Sequence, residues 1–132
     1  MNFSSLVLME REKETNFLIR EMGSYEVSDG AKFIRKMFYD GRDVIVYFDS
    51  EKDVEEWEYT AMFDLFDEEP LTQAGFIIEN IEDEYNPTWC TKFPYNEEYN
   101  VVQDKLNELC SIIENQMDKV FEDIKGKENE YK

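Results

Sequence analysis

From Tyr99 onward the apolar residues Tyr99, Val102, Leu106, Leu109, Ile113, Met117, Val120 and Ile124 stand three or four positions apart. That spacing places them on one face of a helix, and it persists for seven turns. Asn96 is a suitable N-cap, Glu97 and Glu98 suit the positive end of a helix, and Lys125 with Gly126 suits its close. One long amphipathic helix is therefore predicted over about residues 97–125. It needs an apolar surface to lie against, and the rest of the chain must supply one.

What precedes it has period two instead. Strand-like runs occupy 5–10, 17–27, 31–39, 44–48, 75–84 and 88–93, with turn residues between them and Gly23 placed as a bulge. Asp40-Gly41, flanked by apolar runs, is the strongest hairpin signal. Residues 54–66 carry two competing patterns. Alternation puts Trp57, Tyr59, Ala61, Phe63 and Leu65 on one face, against Glu56, Glu58, Thr60, Met62 and Asp64. A helical stripe of Val54, Trp57, Ala61 and Leu65, capped by Asp53, is also present. The unbroken alternation and the aromatic content favour a strand. Strands first and one helix last predict an α+β domain: an antiparallel β-meander of six or seven strands over residues 4–95, covered by the C-terminal helix. The single domain spans 1–126, and 127–132 is predicted to be a flexible tail.

The dimensions raise a question. A helix over 97–125 is about 43 Å long, whereas six strands cover only about 25–30 Å. The mismatch predicts a helix lying diagonally across the sheet, a strongly curled sheet that grips it, or an overhanging apolar end, with Met117, Val120, Phe121 and Ile124, offered to a second copy in a homodimer.

Charge is distributed unevenly. Residues 53–91 contain twelve Asp and Glu and no Lys, Arg or His, and so contribute −12 of the net −18. A field of that sign disfavours direct contact with nucleic acid or an anionic membrane surface and favours a basic protein partner. On the strand reading of 54–66, Glu56, Glu58 and Asp64 share an outer face, Glu79 and Asp83 share that of the next strand, and together they form a two-dimensional array; Asp67, Glu68, Glu69, Glu82 and Glu84 are further candidate partner-binding acids. Such an array could also imitate the phosphates of a duplex and enter the basic groove of a nucleic-acid-binding protein.

Several activities are excluded by composition. There is no histidine, which removes Ser-His-Asp and Cys-His systems and most zinc patterns. GxGxxG, GxxxxGK[ST] and GxSxG are all absent. Asp49-Ser50-Glu51-Lys52-Asp53 opens like a calcium loop but has Val54 and Thr60 where Gly and Glu are required. No metal or cofactor is expected, and the chain is read as a non-catalytic binding protein. Cys90 and Cys110 share no metal or redox spacing, and without an export signal they are expected to be reduced, in the cytoplasm. The alternative function is a small-molecule domain whose cavity, between a curled sheet and the helix, is lined by Trp57, Tyr59, Phe63, Phe76 and Trp89 and takes a hydrophobic or aromatic ligand.

Overall fold

A computed structural model describes residues 4–12 and 14–132. Residues 1–3 of the predicted domain and Lys13 of its first turn lie outside the described residues. Six strands form one sheet: β1 Ser4–Arg11, β2 Leu18–Val27, β3 Ile34–Tyr39, β4 Asp43–Asp49, β5 Ile77–Ile81 and β6 Thr88–Pro94. The helices are α1 Glu56–Leu65, α2 Glu69–Gln73, α3 Tyr99–Asp123 and α4 Glu128–Tyr131, with a 3-10 helix at Asp29–Phe33. The α+β class and the long C-terminal helix match the sequence reading.

The sheet is mixed rather than an antiparallel meander. Its order is β2-β1-β3-β4-β6-β5, and β1 pairs with β3 in parallel. Residues 28–33, read as a turn and the start of a strand, form the 3-10 helix. It carries the chain past β1 instead of folding it back on β2. This crossing runs against α3 at a point where only glycine fits: a β carbon on Gly30 would lie 2.0 Å from the Cys110 carbonyl oxygen. The predicted irregularity at Gly23 is present, because Leu8 pairs with Gly23 while Met9 pairs with Glu21.

The largest correction is α1. Residues 54–66 are not a strand. Ala61 and Met62 are both fully buried, and adjacent residues can share one side of a helix but not of a strand. Half-buried Val54, Trp57 and Leu65 pack on the same core. The Glu55 N–H donates to the Glu58 carboxylate at 2.8 Å, the backward half of a capping box. Alternation of aromatic and acidic residues is thus satisfied by a helix whose half-buried flanks hold Tyr59 and Phe63.

That helix also answers the question of length. Val102, Leu106, Leu109, Cys110, Ile113, Met117, Val120 and Ile124 are all buried, so α3 has no apolar overhang. α1 packs beside α3, and Tyr131, just beyond the end of α3, donates to Asp64 of α1 at 2.5 Å. Lys52 covers Phe121 with its ammonium 4.4 Å from the ring centre. Of the residues expected at a dimer contact, Met117, Val120 and Ile124 are buried in the monomer's own core and Phe121 is half-buried against it. At the start of α3, Asn96 accepts the Glu98 N–H at 2.8 Å, and at its end Gly126 takes a positive φ of 78°. The tail read as flexible carries α4, which packs on α1.

All these helices lie on one side of the sheet. The core between them contains Leu8, Tyr25, Val27, Val44, Val46, Phe48, Trp89 and Phe93 from the strands. The opposite side of the sheet has no helix over it among the described residues.

Candidate functional site

The acidic residues gather at the junction of α1 with the β5–β6 turn. Two hydrogen bonds hold it: the Tyr59 hydroxyl donates to the Glu82 carbonyl at 2.8 Å, and the Asn86 amide donates to Asp53 at 3.1 Å. Between the two elements lies an open cleft of about 480 Å³, lined by Val54, Glu55, Glu56, Tyr59, Glu82, Asp83, Glu84 and Tyr85. Tyr85 is 80% exposed at its mouth. An exposed ring of that size beside five carboxylates offers a flat apolar surface inside a negative field.

The field reaches the phenol. Burial pushes the Tyr59 hydroxyl above its ordinary range, and the charges of Glu82, Asp83 and Glu84 push it the same way. Among the described residues no base forms an ion pair with the group. Seven ion pairs form among the described residues, and none uses an acid from 53–91. One cation, Lys132, lines an adjoining cleft with Glu55, Glu56, Trp57, Thr60 and Tyr131, and its ion pair is with Glu128.

The predicted partner-binding residues divide. Glu56, Glu82, Asp83 and Glu84 meet at this cleft, together with Glu55, which sequence reasoning missed. Glu58 is occupied in the capping box of α1, where Glu55 is the N-cap and its carboxylate also accepts the Trp57 indole N–H at 3.0 Å. Asp64 lies at the far end of α1, bonded to Tyr131. Asp67 accepts the Glu69 N–H at 3.0 Å, and Glu69 accepts the Gln73 amide at 2.9 Å, so both shape the start of α2. Glu68 is half-buried there, and burial raises its carboxyl above the usual range. Glu79 is on the uncovered side of the sheet, in a depression with Cys90 and Lys92. The two-dimensional array is corrected to one cleft plus scattered acids, because it required 54–66 to be a strand. Tyr85 was also missed; a tyrosine in a polar Tyr-Asn-Pro turn following three acids was the available signal.

The five predicted cavity residues are not brought to one cavity. Trp89 is fully buried, with the Phe48, Phe63 and Phe66 ring centres 5.5, 5.1 and 4.4 Å away. Phe76 packs edge-on against Phe93 at 5.6 Å. Trp57 and Tyr59 line the two separate open clefts of α1.

Chemically, the cleft offers charge and aromatic surface. Among the described residues no three His, Cys, Asp or Glu converge as metal ligands. Cys90 and Cys110 are both free and buried, and burial pushes the Cys110 thiol up to about 12. No helix among the described residues is long and apolar enough to cross a membrane.

The model of a family of unknown function, DUF6762, matches residues 1–132, and the chain belongs to that family. No curated protein and no solved structure matches it.

Proposed function

We propose that this family member is a non-catalytic binding protein whose acidic cleft receives a Lys- and Arg-rich segment of a basic partner protein. The observation that carries the reading is the meeting of Glu55, Glu56, Glu82, Asp83 and Glu84, none of them in an ion pair, around the Tyr59 and Tyr85 rings. Uncompensated charge steers a cationic segment over distances of about a Debye length, roughly 8–10 Å at ordinary salt. On arrival each exposed ion pair adds only about 0.2–1 kcal/mol. A guanidinium or ammonium over Tyr85 adds about 0.5–1 kcal/mol. Affinity therefore comes from several weak contacts, and selectivity from the sign of the field.

A concave group of five acids suits an extended basic segment better than it suits imitation of a regular phosphate lattice. Two free, buried thiols accord with a cytosolic setting.

The test is titration of a Lys/Arg-rich peptide followed by tryptophan fluorescence, since Trp57 lies in the neighbouring cleft. Glu82→Gln/Asp83→Asn/Glu84→Gln should weaken binding about tenfold. Equal affinity for the wild type and this variant would reject the cleft as the site.

A further inference from the structure

The turn between β5 and β6 borders a second pocket besides the acidic cleft. The Tyr59 hydroxyl holds the start of the turn through the Glu82 carbonyl. At its other end the Asn86 amide donates to Asp53 at 3.1 Å, and the Thr88 hydroxyl donates to the Asn86 carbonyl at 2.8 Å. Fixed at both ends, the turn meets residues of β3 and β4 around an open pocket of about 250 Å³. Arg35, Lys36, Tyr47 and Asp49 line it from the strands, and Glu84 and Tyr85 from the turn.

A bulge in β3 brings two bases to the pocket. Ile34 pairs with Phe48 and Lys36 with Tyr47, so Arg35 is an extra residue, and a bulge re-aims the side chains beside it. Arg35 donates to Asp49 at 2.9 Å and also to the Lys32 carbonyl, which closes that ion pair on itself. The Lys36 ammonium instead lies 4.2 Å from the Tyr47 ring centre. Neither Lys36 nor Glu84 enters an ion pair among the described residues. One base and one acid, each without an ionic partner, therefore line the same pocket, beside a Tyr85 ring that is 80% exposed.

We infer that this pocket binds a free α-amino acid with an aromatic side chain, its carboxylate on Lys36, its ammonium on Glu84 and its ring against Tyr85. Charge decides the class of ligand. With Arg35 and Asp49 included, the pocket holds two bases and two acids, so it favours a ligand of no net charge. A simple cation is drawn instead to the five acids of the neighbouring cleft, and a simple anion meets the field of a chain carrying −18. A zwitterion satisfies both unpaired groups and escapes both effects. Its ring can stack on Tyr85, whereas the Tyr47 ring is already covered on one face by Lys36. A pocket somewhat below the roughly 300–1,000 Å³ typical of drug-sized ligands suits a molecule of this size.

Isothermal titration of the full chain with L-phenylalanine, up to about 10 mM, tests this. Two analogues each lack one charge: 3-phenylpropionate has no ammonium and 2-phenylethylamine no carboxylate. Both should bind about fivefold more weakly than the amino acid. Lys36→Gln should weaken L-phenylalanine about fivefold without weakening 2-phenylethylamine, and Glu84→Gln should do the same without weakening 3-phenylpropionate, with circular dichroism unchanged in both. Tyr85→Ala should bring L-phenylalanine down to the affinity of L-alanine. No binding of L-phenylalanine by about 10 mM overturns the inference. An analogue that binds as tightly as the amino acid overturns it as well, and so does a Lys36→Gln protein that binds L-phenylalanine like the wild type. Glu82 and Asp83 line the acidic cleft and not this pocket, so Glu82→Gln/Asp83→Asn should leave amino-acid binding unchanged. Peptide binding at the cleft is thereby read separately.

Discussion

At the scale of single residues, two positions carry more than their sequence context suggests. Gly30 is required by space: any β carbon there meets the backbone of α3, which cannot withdraw without moving the helix. Gly30→Ala should destabilise the fold by about 3 kcal/mol or more, measured by urea unfolding; a loss below about 1 kcal/mol would mean that the crossing is not tight. Cys110 is the second. Its thiol stays protonated in the folded chain up to about 12, against 9.0 for a free thiol, because burial disfavours the thiolate. Between those values the unfolded chain loses a proton that the native chain keeps. Stability is therefore complete below pH 9 and falls as pH rises toward 12, by about 1.4 kcal/mol per pH unit from this one group. Burial raises the Tyr25 and Tyr47 hydroxyls and adds in the same direction. Tm should drop steeply between pH 9 and 11, and less steeply in Cys110→Ala. Equal slopes in the two proteins would remove Cys110 from the explanation.

At the scale of elements, the sequence was most legible where one period dominated. α3 was readable because eight apolar residues keep helical spacing without a competing pattern, and its start and end were placed within about two residues by Asn96 and Gly126. The β3–β4 hairpin was readable from Asp40-Gly41. α1 was not, because its acids and aromatics alternate while its helical stripe has only four members. What decided between them was the tertiary need to cover the C-terminal end of α3, which local patterning does not contain. The parallel β1–β3 pair was hidden for a related reason: a 3-10 helix stands where a turn was expected, and it moves the chain one strand farther on. One substitution separates helix from strand at α1. Thr60 is exposed at its middle, and Thr60→Ala should stabilise a helix by about 0.5 kcal/mol, whereas in a strand the loss of the β-branched residue would destabilise. Chemical denaturation of the pair of proteins reads the sign directly.

At the scale of the whole molecule, uncompensated acid is gathered at one place. Five acids without ion pairs meet at one edge of the helical side, while on the bare face of the sheet Arg11 lies over Phe38 and Lys36 over Tyr47. The uneven charge of 53–91 was visible in the sequence. Its arrangement was not, since acids close in the chain, such as Glu56 and Asp64, are divided between the cleft and the far end of α1. Screening by salt weakens attraction between the cleft and a cationic peptide.

The most direct measurement is the dissociation constant of a Lys/Arg-rich peptide for the intact chain at 50 and 300 mM NaCl, alongside the Glu82→Gln/Asp83→Asn/Glu84→Gln variant. The docking proposal predicts at least about tenfold weaker binding at the higher salt, with a visibly smaller salt effect in the variant. Binding that is indifferent to salt, or a variant that responds to salt as the wild type does, would contradict it.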